Sequence, residues 1–445
     1  MKPKYLVILF LILISCFESV QAQVFIPFAF NRCVLPASTG GDSTNANFLL
    51  GTAASTDITG ASVVLNAAAT TGTYTSRVFD ITGSCNALSY FKSFTWTSSF
   101  PAGKELTASS ESSSDYSAVS TGLMANLQGL WHFNETATGT VTGSKDFFDS
   151  SANANHATRN SANITLGSSG RFSNAITNNN AGYVDLPGAN TTISSTGSYT
   201  ISVWYNVTSF TNGCSGSGTY FLDRGAPIGN PLAGICARNS GGSKFAMETR
   251  CDSGASLAQL DGPLIVTGTW QHIVIQRDRA NALYRIFGNG VQINSAADAA
   301  GCAVTLSVFR LGRHATNATG GLTGKADEFA VWNRALTAAE ILQLYRRGAY
   351  RAKFQFRTCF LSDCSDLPTW RGTDGTSATF FTEVNNNSLQ ITSLGTVLLT
   401  SPSMIFSNFS SFGMSNDRYF QYKATLEGDN TSFQPDFKSV FIERN

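Results

Sequence analysis

The feature that most constrains the fold is the alternation of apolar and polar residues in short segments. Across 199–207 the odd positions are apolar and the even ones mostly polar, which is the pattern of a strand with one buried face. Segments 283–287 and 291–293 flank Asn289-Gly290, a pair that tolerates the positive φ angles of a tight turn. This part of the chain therefore predicts a β-hairpin.

Helical patterns are scarce. The clearest one begins at Thr337, which forms a capping box with Glu340. Ile341, Leu344 and Tyr345 then fall on one face, so we predict a helix of about ten residues. The chain is rich in Gly, Ser, Thr and Asn, and 13% of its residues are charged. Such composition is typical of an all-β fold built from antiparallel β-sandwiches, because short strands need frequent turns.

The N-terminus predicts export. Lys2 and Lys4 precede an apolar run at 5–14, which suits a signal peptide and is too short to span a bilayer as a helix. Two cleavages are compatible: signal peptidase after Ala22, or a bacterial lipobox that makes Cys16 the lipidated first residue. An uncleaved membrane anchor is a third reading. We expect an extracytoplasmic protein, secreted or on the outer cell surface, whose one route of membrane attachment is a lipid on Cys16 if the lipobox is the site of cleavage.

Cysteine usage agrees with export. With either cleavage, Cys16 is no longer a free thiol of the mature chain, and the number of remaining cysteines is even. An even number of cysteines in an exported protein predicts a set of disulfide bonds. Cys359 and Cys364 are close enough for a local bridge, which leaves Cys33 with Cys85. The four middle cysteines allow three pairings, and the sequence does not choose among them. The full set is Cys33, Cys85, Cys214, Cys236, Cys251, Cys302, Cys359 and Cys364.

Charge argues against a nucleic-acid partner. The chain has 30 Lys and Arg residues against 29 Asp and Glu residues. Removing Lys2 and Lys4 with the signal peptide leaves 28 against 29, a net charge of −1. A nucleic-acid-binding protein normally has an excess of basic residues or a basic stripe on its surface, so we do not expect this protein to bind nucleic acid.

The residue composition changes near 109–120, which is Ser-rich, and near 346–351, and such changes indicate domain boundaries. Strand-like segments on both sides, 75–80 and 418–422, resemble the two ends of one galactose-binding-like module. An insertion of the middle block into that module is one interpretation, and three tandem domains are the other. The predicted units are a signal segment (1–22), the first part of an accessory β-sandwich (23–117), a middle domain (118–349) and the accessory sandwich's second part (350–445).

The middle block contains six motifs in order. They are Gly129-Leu130-Trp131-His132-Phe133-Asn134-Glu135, the segments 149–156 and 181–187, the strand with Trp204, the segment 269–273, and the closing segment 324–336. The series resembles the laminin-G-like (concanavalin A-like) jelly-roll domain of bacterial surface proteins. The resemblance covers about half of the chain and implies two packed antiparallel sheets. We expect Trp131, Trp204, Trp270 and Trp332 to pack in the core.

The resemblance also implies a structural calcium ion. Jelly rolls of this superfamily often hold Ca²⁺ where the loop after the first strand meets the last strand. The matching acids here are Glu135 and Asp327, and oxygens near Asn153 would complete a shell of six to eight oxygens. The competing interpretation is that both acids are solvated loop residues.

Catalytic patterns are missing from the sequence. Glycoside hydrolases of this fold carry a Glu-x-Asp-x-x-Glu triplet, because an acid and a nucleophile must flank the bond, and the chain lacks it. His132, His156, His272 and His314 have no metal-type spacing. We therefore expect a binding protein and no enzyme.

The predicted function is recognition of a glycan, or of a matrix or cell-surface protein. Candidate ligand-binding residues are Tyr220, Asp223, Arg224 and Asn230, which offer an aromatic face with polar partners. A structural component of a surface layer or fibre is the alternative from another class. A polysaccharide-acting accessory enzyme is the third hypothesis.

Overall fold

The computed structural model describes residues 33–34, 41–80, 91–107, 116–160, 162–186, 193–214, 218–223, 233–253, 257–299, 301–306, 308–314, 320–383, 403–405, 414 and 417–444. Within these residues the chain is almost entirely β-strand, and every pairing between its strands is antiparallel. The predicted fold class, an all-β protein of antiparallel sheets, is confirmed.

Eight strands and a one-turn helix precede the middle domain. They are β1 (Cys33–Val34), β2 (Gly41–Asp42), α1 (Asn45–Phe48), β3 (Thr52–Ala54), β4 (Thr56–Thr59), β5 (Ser62–Leu65), β6 (Thr71–Thr75), β7 (Phe79–Asp80) and β8 (Phe91–Thr97).

The middle of the chain contributes fifteen strands and the one longer helix of the described residues. They are β9 (Leu127–Trp131), β10 (Thr158–Arg159), β11 (Ile164–Ser169), β12 (Asn174–Asn179), β13 (Val184–Leu186), β14 (Tyr199–Ser209), β15 (Tyr220–Asp223), β16 (Ala233–Asn239), β17 (Ser243–Arg250), β18 (Leu257–Leu264), β19 (Trp270–Asp278), β20 (Leu283–Gly288), β21 (Val291–Ala297), β22 (Phe309–Leu311), β23 (Thr323–Trp332) and α2 (Ala338–Ala349).

The last six strands follow α2 directly. They are β24 (Tyr350–Cys359), β25 (Phe381–Thr382), β26 (Ser403–Ile405), β27 (Tyr419–Gly428), β28 (Asp436–Phe437) and β29 (Ser439–Arg444).

The middle domain is a sandwich of two sheets. A seven-stranded sheet has the order β10-β13-β22-β15-β16-β17-β18, and an eight-stranded sheet has the order β11-β12-β23-β14-β19-β20-β21, with β9 added beside β23. Alternate side chains of both sheets, such as Val203, Ile235 and Phe329, fill one apolar core between them. The alternation in 199–207 therefore predicts the strand β14 correctly. Both of its faces are buried, however, because α2 and the flanking strands cover the outer face of the sheet.

Local signals at the hairpin and at the helix are confirmed. Asn289 and Gly290 connect β20 to β21, and both have positive φ, at 49° and 80°. Thr337 caps α2, and both hydrogen bonds of the capping box with Glu340 form. The apolar face of α2, with Ile341, lies on the outer face of the eight-stranded sheet.

Strands from the two ends of the chain share sheets. β6 and β24 both pair with β27, so 71–75 lies in one six-stranded sheet with strands that follow residue 349. β8 likewise pairs with β29 along 439–444. The domain boundaries themselves stay a prediction that fragment expression can test.

The flanking strands enclose a second apolar core, and this core touches the middle domain. Phe94 contacts Phe354 and Phe356 there, with ring centroids 5.2 and 4.7 Å apart. Trp204 of β14 and Tyr345 of α2 belong to the same cluster and stack at 5.8 Å. The middle domain thus docks on the flanking strands through an aromatic contact.

The tryptophans predicted in the core differ in burial. Trp131, Trp204 and Trp332 are fully buried, and Trp270 is half-buried against the flanking core. Trp204 packs on the outer side of its sheet, because the period-2 rule places it opposite the core-facing Val203. No helix among the described residues combines the length and hydropathy needed to cross a bilayer.

Three disulfides occur in the described residues. Cys359 pairs with Cys364, as predicted. The four middle cysteines pair internally, as Cys214–Cys236 and Cys251–Cys302. The pairing of Cys33 with Cys85 stays a prediction, because Cys85 lies outside the described residues. Disulfides are typical of extracellular proteins.

Candidate functional site

A cluster of acids around His132 lies where the first and last strands of the middle domain meet. Trp131 pairs with Phe329, so the next residues on each strand, His132 and Glu328, come opposite each other. A β-bulge in β23 sets Glu328 and Phe329 against the single residue Val203 of β14. Glu328 has a φ of 52°, an uncommon conformation outside glycine that often marks functional sites.

His132 joins two carboxylates. Its Nδ1 contacts Oε1 of Glu328 in a short ion pair, and Oε2 of Glu105 lies 3.9 Å from the same atom. Asn134 holds Glu105 in place, since its Nδ2 donates to Oε1 of Glu105 at 2.6 Å. Glu328 also accepts the backbone N–H of Leu106 through Oε2 at 3.3 Å. The segment around Glu105 therefore contacts the middle domain through the Glu105 carboxylate and the backbone N–H of Leu106.

Two buried carboxylate oxygens next to this cluster have no hydrogen-bond partner. Asp327 is 1% exposed; its Oδ2 accepts the N–H groups of Arg171 and Phe172, while its Oδ1 has no partner. Glu135 accepts the N–H of Phe148 through Oε1 at 2.8 Å, while its Oε2 is buried without a partner. Buried polar atoms are normally satisfied, so both oxygens need a proton, a water or a cation.

The electrostatics of the cluster explain that need. Burial raises the pKa of Glu105 to about 7, although the charge of His132 opposes the rise. Burial also raises the pKa of Asp327 well above its usual range, and the charges of Glu328 and Glu105 add to the effect. Burial would lower the pKa of His132, but Glu328 and Glu105 outweigh it and raise that pKa to about 10. One imidazolium thus faces an excess of carboxylates.

These observations bear on the predicted calcium ligands. The charges of Glu135 and Asp327 both act on Glu105, so both acids lie near it. Among the described residues, the ligand atoms that lie within 4.8 Å of one another belong instead to Glu105, His132 and Glu328. The unpartnered oxygens of Glu135 and Asp327 are hard donors of the kind that Ca²⁺ prefers, so these two residues fit a cation. Asn153, the third predicted ligand, contacts the start of β9 and not the cluster beyond its end: its Nδ2 donates to the carbonyl of Gln128 at 2.9 Å. Calcium itself stays a prediction.

A cleft of about 550 Å³ opens beside the cluster. Phe148 stands at its rim, is 50% exposed, and stacks on the ring of His156 at a centroid distance of 4.7 Å. Asn134 and Asn174 are tied together, because the backbone N–H of Asn174 donates to Oδ1 of Asn134 at 2.9 Å. The cleft combines a fixed aromatic face with amide and hydroxyl groups. It is lined by His132, Asn134, Glu135, Thr136, Ala137, Thr140, Phe148, Ser150, Ser173 and Asn174.

The predicted ligand-binding residues lie elsewhere. Tyr220 and Asp223 belong to β15 in the seven-stranded sheet, and both side chains are buried. The hydroxyl of Tyr220 donates to Oε2 of Glu248 at 2.9 Å. Arg224 and Asn230 fall outside the described residues. The role of these four residues stays a prediction.

The four histidines occupy separate places. His272 is buried, and its Nε2 lies 2.8 Å from Oγ of Ser202, which is a structural position within the sheet. His156 supports Phe148, and His314 packs edge-on against Tyr220. His132 stands within the acid cluster, which the spacing of the histidines alone does not reveal.

Sequence reasoning missed Glu105, His132 and Glu328 as members of the site. Their potential ligand atoms lie within 4.8 Å of one another. The adjacent acids Asp327 and Glu328 in a buried strand were an available signal, because charged residues are rarely buried unless paired. Glu105 carried no local signal, since its position depends on how the flanking segment docks.

The fold and the site together define a two-sheet jelly-roll domain with an acid cluster at the junction of its first and last strands. Residues 178–342 match the Laminin_G_3 family model, described as the concanavalin A-like lectin/glucanases superfamily. The resemblance of the middle block to a laminin-G-like domain is therefore confirmed.

Several solved structures are similar to part of the chain. Domain 4 of an extracellular arabinanase from Geobacillus stearothermophilus, in complex with arabinotriose, is 20% identical over 49% of this chain and 98% of that one, with a TM-score of 0.36. The binding domain of Paraclostridial Mosquitocidal Protein 1 is 16% identical over 54% and 62%, with a TM-score of 0.39. A Trypanosoma rangeli sialidase is 15% identical over 50% and 32%, with a TM-score of 0.37. No curated protein matches the chain.

Proposed function

We propose that this chain is an extracellular recognition protein that binds a carbohydrate, or a glycan-bearing surface or matrix ligand, without turnover. The ligand enters the cleft beside the acid cluster of the middle domain. The laminin-G-like domain and its disulfides support an extracellular setting. The predicted signal segment would deliver the protein there, free or with a lipid on Cys16.

The observation that carries the proposal is the composition of the cleft. Sugars present apolar C–H faces together with hydroxyl groups, so their sites need an aromatic surface next to amide and hydroxyl partners. Phe148 supplies a half-exposed ring whose orientation His156 fixes by stacking. Asn134, Asn174 and Ser150 line the same cleft. This combination suits an uncharged saccharide, because the neighbouring carboxylates would repel an acidic one.

A divalent cation is the second part of the proposal. Calcium held by Asp327 and Glu135 would neutralise the excess of carboxylates and satisfy their unpartnered oxygens. Since Glu135 also lines the cleft, an ion there would fix the rim against which the ligand rests. The ion would therefore increase ligand affinity by ordering the site before binding.

The test is a glycan and matrix-protein array probed with the purified mature protein in the presence of calcium. We expect binding to a defined set of saccharides, and Phe148→Ala should weaken it by about tenfold or more, as loss of a stacking ring does. Phe360→Ala is the matched control, because Phe360 is an exposed phenylalanine outside the middle domain. It should bind as the wild type does.

Three results would favour a different function or a different site. No binding on the array, together with ordered assemblies in electron microscopy, would support a structural component of a surface layer. Release of reducing sugar from polysaccharides would support an accessory enzyme. Equal loss of binding in Phe148→Ala and Phe360→Ala would remove the cleft from the proposal.

A further inference from the structure

An exposed apolar loop follows β24 in the flanking sandwich, far along the chain from the cleft. We call residues 360–370 the tip loop. Phe360 is 76% exposed, Leu367 71% and Leu361 43%. Large apolar side chains grouped in this way on a soluble protein mark an interaction surface.

The tip loop is held in one conformation. The disulfide Cys359–Cys364 closes its first half. The N–H of Leu367 donates to the carbonyl of Cys364 at 3.0 Å, and the N–H of Phe360 donates to Oδ2 of Asp366 at 3.0 Å. At its base, Phe356 and Arg371 exchange two backbone hydrogen bonds, of 3.1 and 2.8 Å.

Two residues of the loop have a left-handed backbone conformation. Cys364 has a φ of 54° and Leu367 a φ of 45°, a conformation that side-chain-bearing residues rarely adopt. The left-handed backbone conformation of Leu367 costs free energy, and the exposure of its apolar side chain to water costs more. Strain and exposure in the same residue indicate that Leu367 is placed for contact with something else.

An aromatic residue in contact with two cations lies at the base of the loop. The guanidinium of Arg357 lies 4.4 Å from the ring centroid of Trp370, and the ammonium of Lys423 lies 5.1 Å from it. Burial lowers the pKa of Lys423, and the neighbouring charge of Arg357 lowers it further. A phosphate group would relieve this repulsion between like charges.

The tip loop also contains two acids. Asp363 accepts the N–H of Ser365 at 3.0 Å, and Asp366 accepts that of Phe360. Both carboxylates are therefore engaged by the loop's own backbone. Together with Arg357, Lys423 and Arg371 at the base of the loop, they place charges of both signs beside the apolar side chains, which suits the separated charges of a zwitterionic headgroup.

We propose that the tip loop docks the protein on a zwitterionic phospholipid surface, with Phe360, Leu361 and Leu367 inserted among the acyl chains. Trp370 and its two cations would then lie at the level of the headgroups, where tryptophan and basic residues are favoured. A rigid convex tip suits insertion into a bilayer, because no partner pocket has to match it and little ordering is needed.

Sedimentation with phosphatidylcholine vesicles tests the proposal, using the mature chain that begins at Gln23 and carries no lipid. We expect the wild type to sediment with the vesicles, with little change on raising the salt concentration, because apolar insertion drives the contact. The double variant Phe360→Ser with Leu367→Ser should lose about tenfold or more of its vesicle affinity. Its thermal unfolding should stay unchanged, because both side chains are exposed.

A matched control separates insertion from general surface hydrophobicity. Leu264 and Val266 are 55% and 50% exposed in the middle domain, so Leu264→Ser with Val266→Ser removes similar apolar area elsewhere. This control should bind vesicles as the wild type does. Equal loss in both double variants, or no sedimentation of the wild type, would overturn the proposal.

Two further readouts separate membrane insertion from self-association of the chain. The fluorescence of the wild type should shift to shorter wavelength on adding vesicles, and Trp370→Phe should remove most of that shift. The protein could also self-associate through Phe360 in the absence of lipid and fail to bind vesicles. That result would identify a second copy of the chain, and not a membrane, as the partner of the tip loop. Phe148→Ala should leave vesicle binding intact, so this proposal and the glycan proposal fail separately.

Discussion

The side-chain amide of Asn134 donates a hydrogen bond to Oε1 of Glu105 at 2.6 Å, and this contact joins the flanking segment to the acid cluster of the middle domain. Glu105 precedes the predicted domain start at 118 and the segment that matches the family model. A residue from outside the jelly roll therefore takes part in the charge balance at the junction of its first and last strands.

The first prediction concerns a cation at that junction. Saturating calcium should stabilise the protein by mass action, by about 2.7 kcal/mol at a hundred times the dissociation constant. The melting temperature should fall in EDTA and recover with Ca²⁺. Asp327→Asn and Glu135→Gln should each abolish the response, because each removes a buried anionic oxygen.

Two controls define the calcium experiment. Glu105→Gln should weaken the response without abolishing it, because Oε1 of Glu105 is already engaged by Asn134. Asp261→Asn, which changes a surface ion pair with Arg238, should respond as the wild type does. A melting curve that is the same in EDTA and in calcium would remove the cation from the site.

The sequence predicted the parts of the fold that depend on local rules. The alternation in β14, the Asn289-Gly290 turn and the capping box at Thr337 each act within a few residues, and the structure contains all three. The series of motifs predicted the jelly roll, because the motifs occur in strand order. Pairing of the middle cysteines was left open, since sequence separation alone does not fix which strands become neighbours.

The acid cluster was only partly predictable. Asp327 and Glu135 came from the resemblance, and the structure places both near Glu105. Glu328 belongs to the cluster because a bulge in β23 changes the side of the sheet to which consecutive side chains point. The alternation of apolar and polar residues does not predict such a bulge. Glu105 depends on docking between distant segments. Such contacts depend on tertiary packing, and the residue pattern of a single segment does not predict them.

Loss of a disulfide should cost more stability for the longer loop. Cys251–Cys302 spans 51 residues and Cys359–Cys364 spans 5. The loop-entropy relation gives about 4 kcal/mol for the first bridge and about 2 kcal/mol for the second. Serine replacement of each pair, followed by urea unfolding, measures the difference. A larger loss from the short bridge would contradict the loop-entropy account.

His272 predicts a pH dependence of stability. Burial lowers the pKa of His272 to about 3, and the charge of Arg171 contributes to the shift. At His272 the unfolded chain therefore binds more protons below pH 6.5, so the contribution of this residue to the free energy of unfolding should fall as the pH drops through that value. The loss should reach about 2 kcal/mol at pH 5. Glu105 and Asp327, whose pKa values are raised, act in the opposite direction.

Substitution isolates the contribution of this histidine. Relative to the wild type, His272→Gln should gain unfolding free energy as the pH drops from 6.5 to 5, because glutamine does not titrate. His156→Gln, which changes a histidine at the rim of the cleft, should keep the wild-type slope. An unchanged slope in His272→Gln would assign the dependence to other groups.

The last prediction concerns the order of the domains. The chain enters and leaves the middle block at neighbouring points, because the N–H of Gly103 donates to the carbonyl of Arg347 at 2.8 Å. Nη1 of Arg347 also donates to the carbonyl of Glu105 at 2.9 Å. A short Gly-Ser linker can therefore replace 118–349. The flanks should then fold as one unit, since β6 pairs with β27 and β8 with β29.

Three purified proteins test this arrangement by circular dichroism and thermal unfolding. The fragment 118–349 should fold, with a lower melting temperature than the whole chain, because Trp204 and Tyr345 lose their contact with the flanking core. The linked flanks should unfold cooperatively, whereas 350–445 alone should not, because its strand β27 needs β6 as a neighbour. Cooperative unfolding of 350–445 by itself would instead establish three tandem domains, with the strand pairing between the flanks formed only after each domain folds.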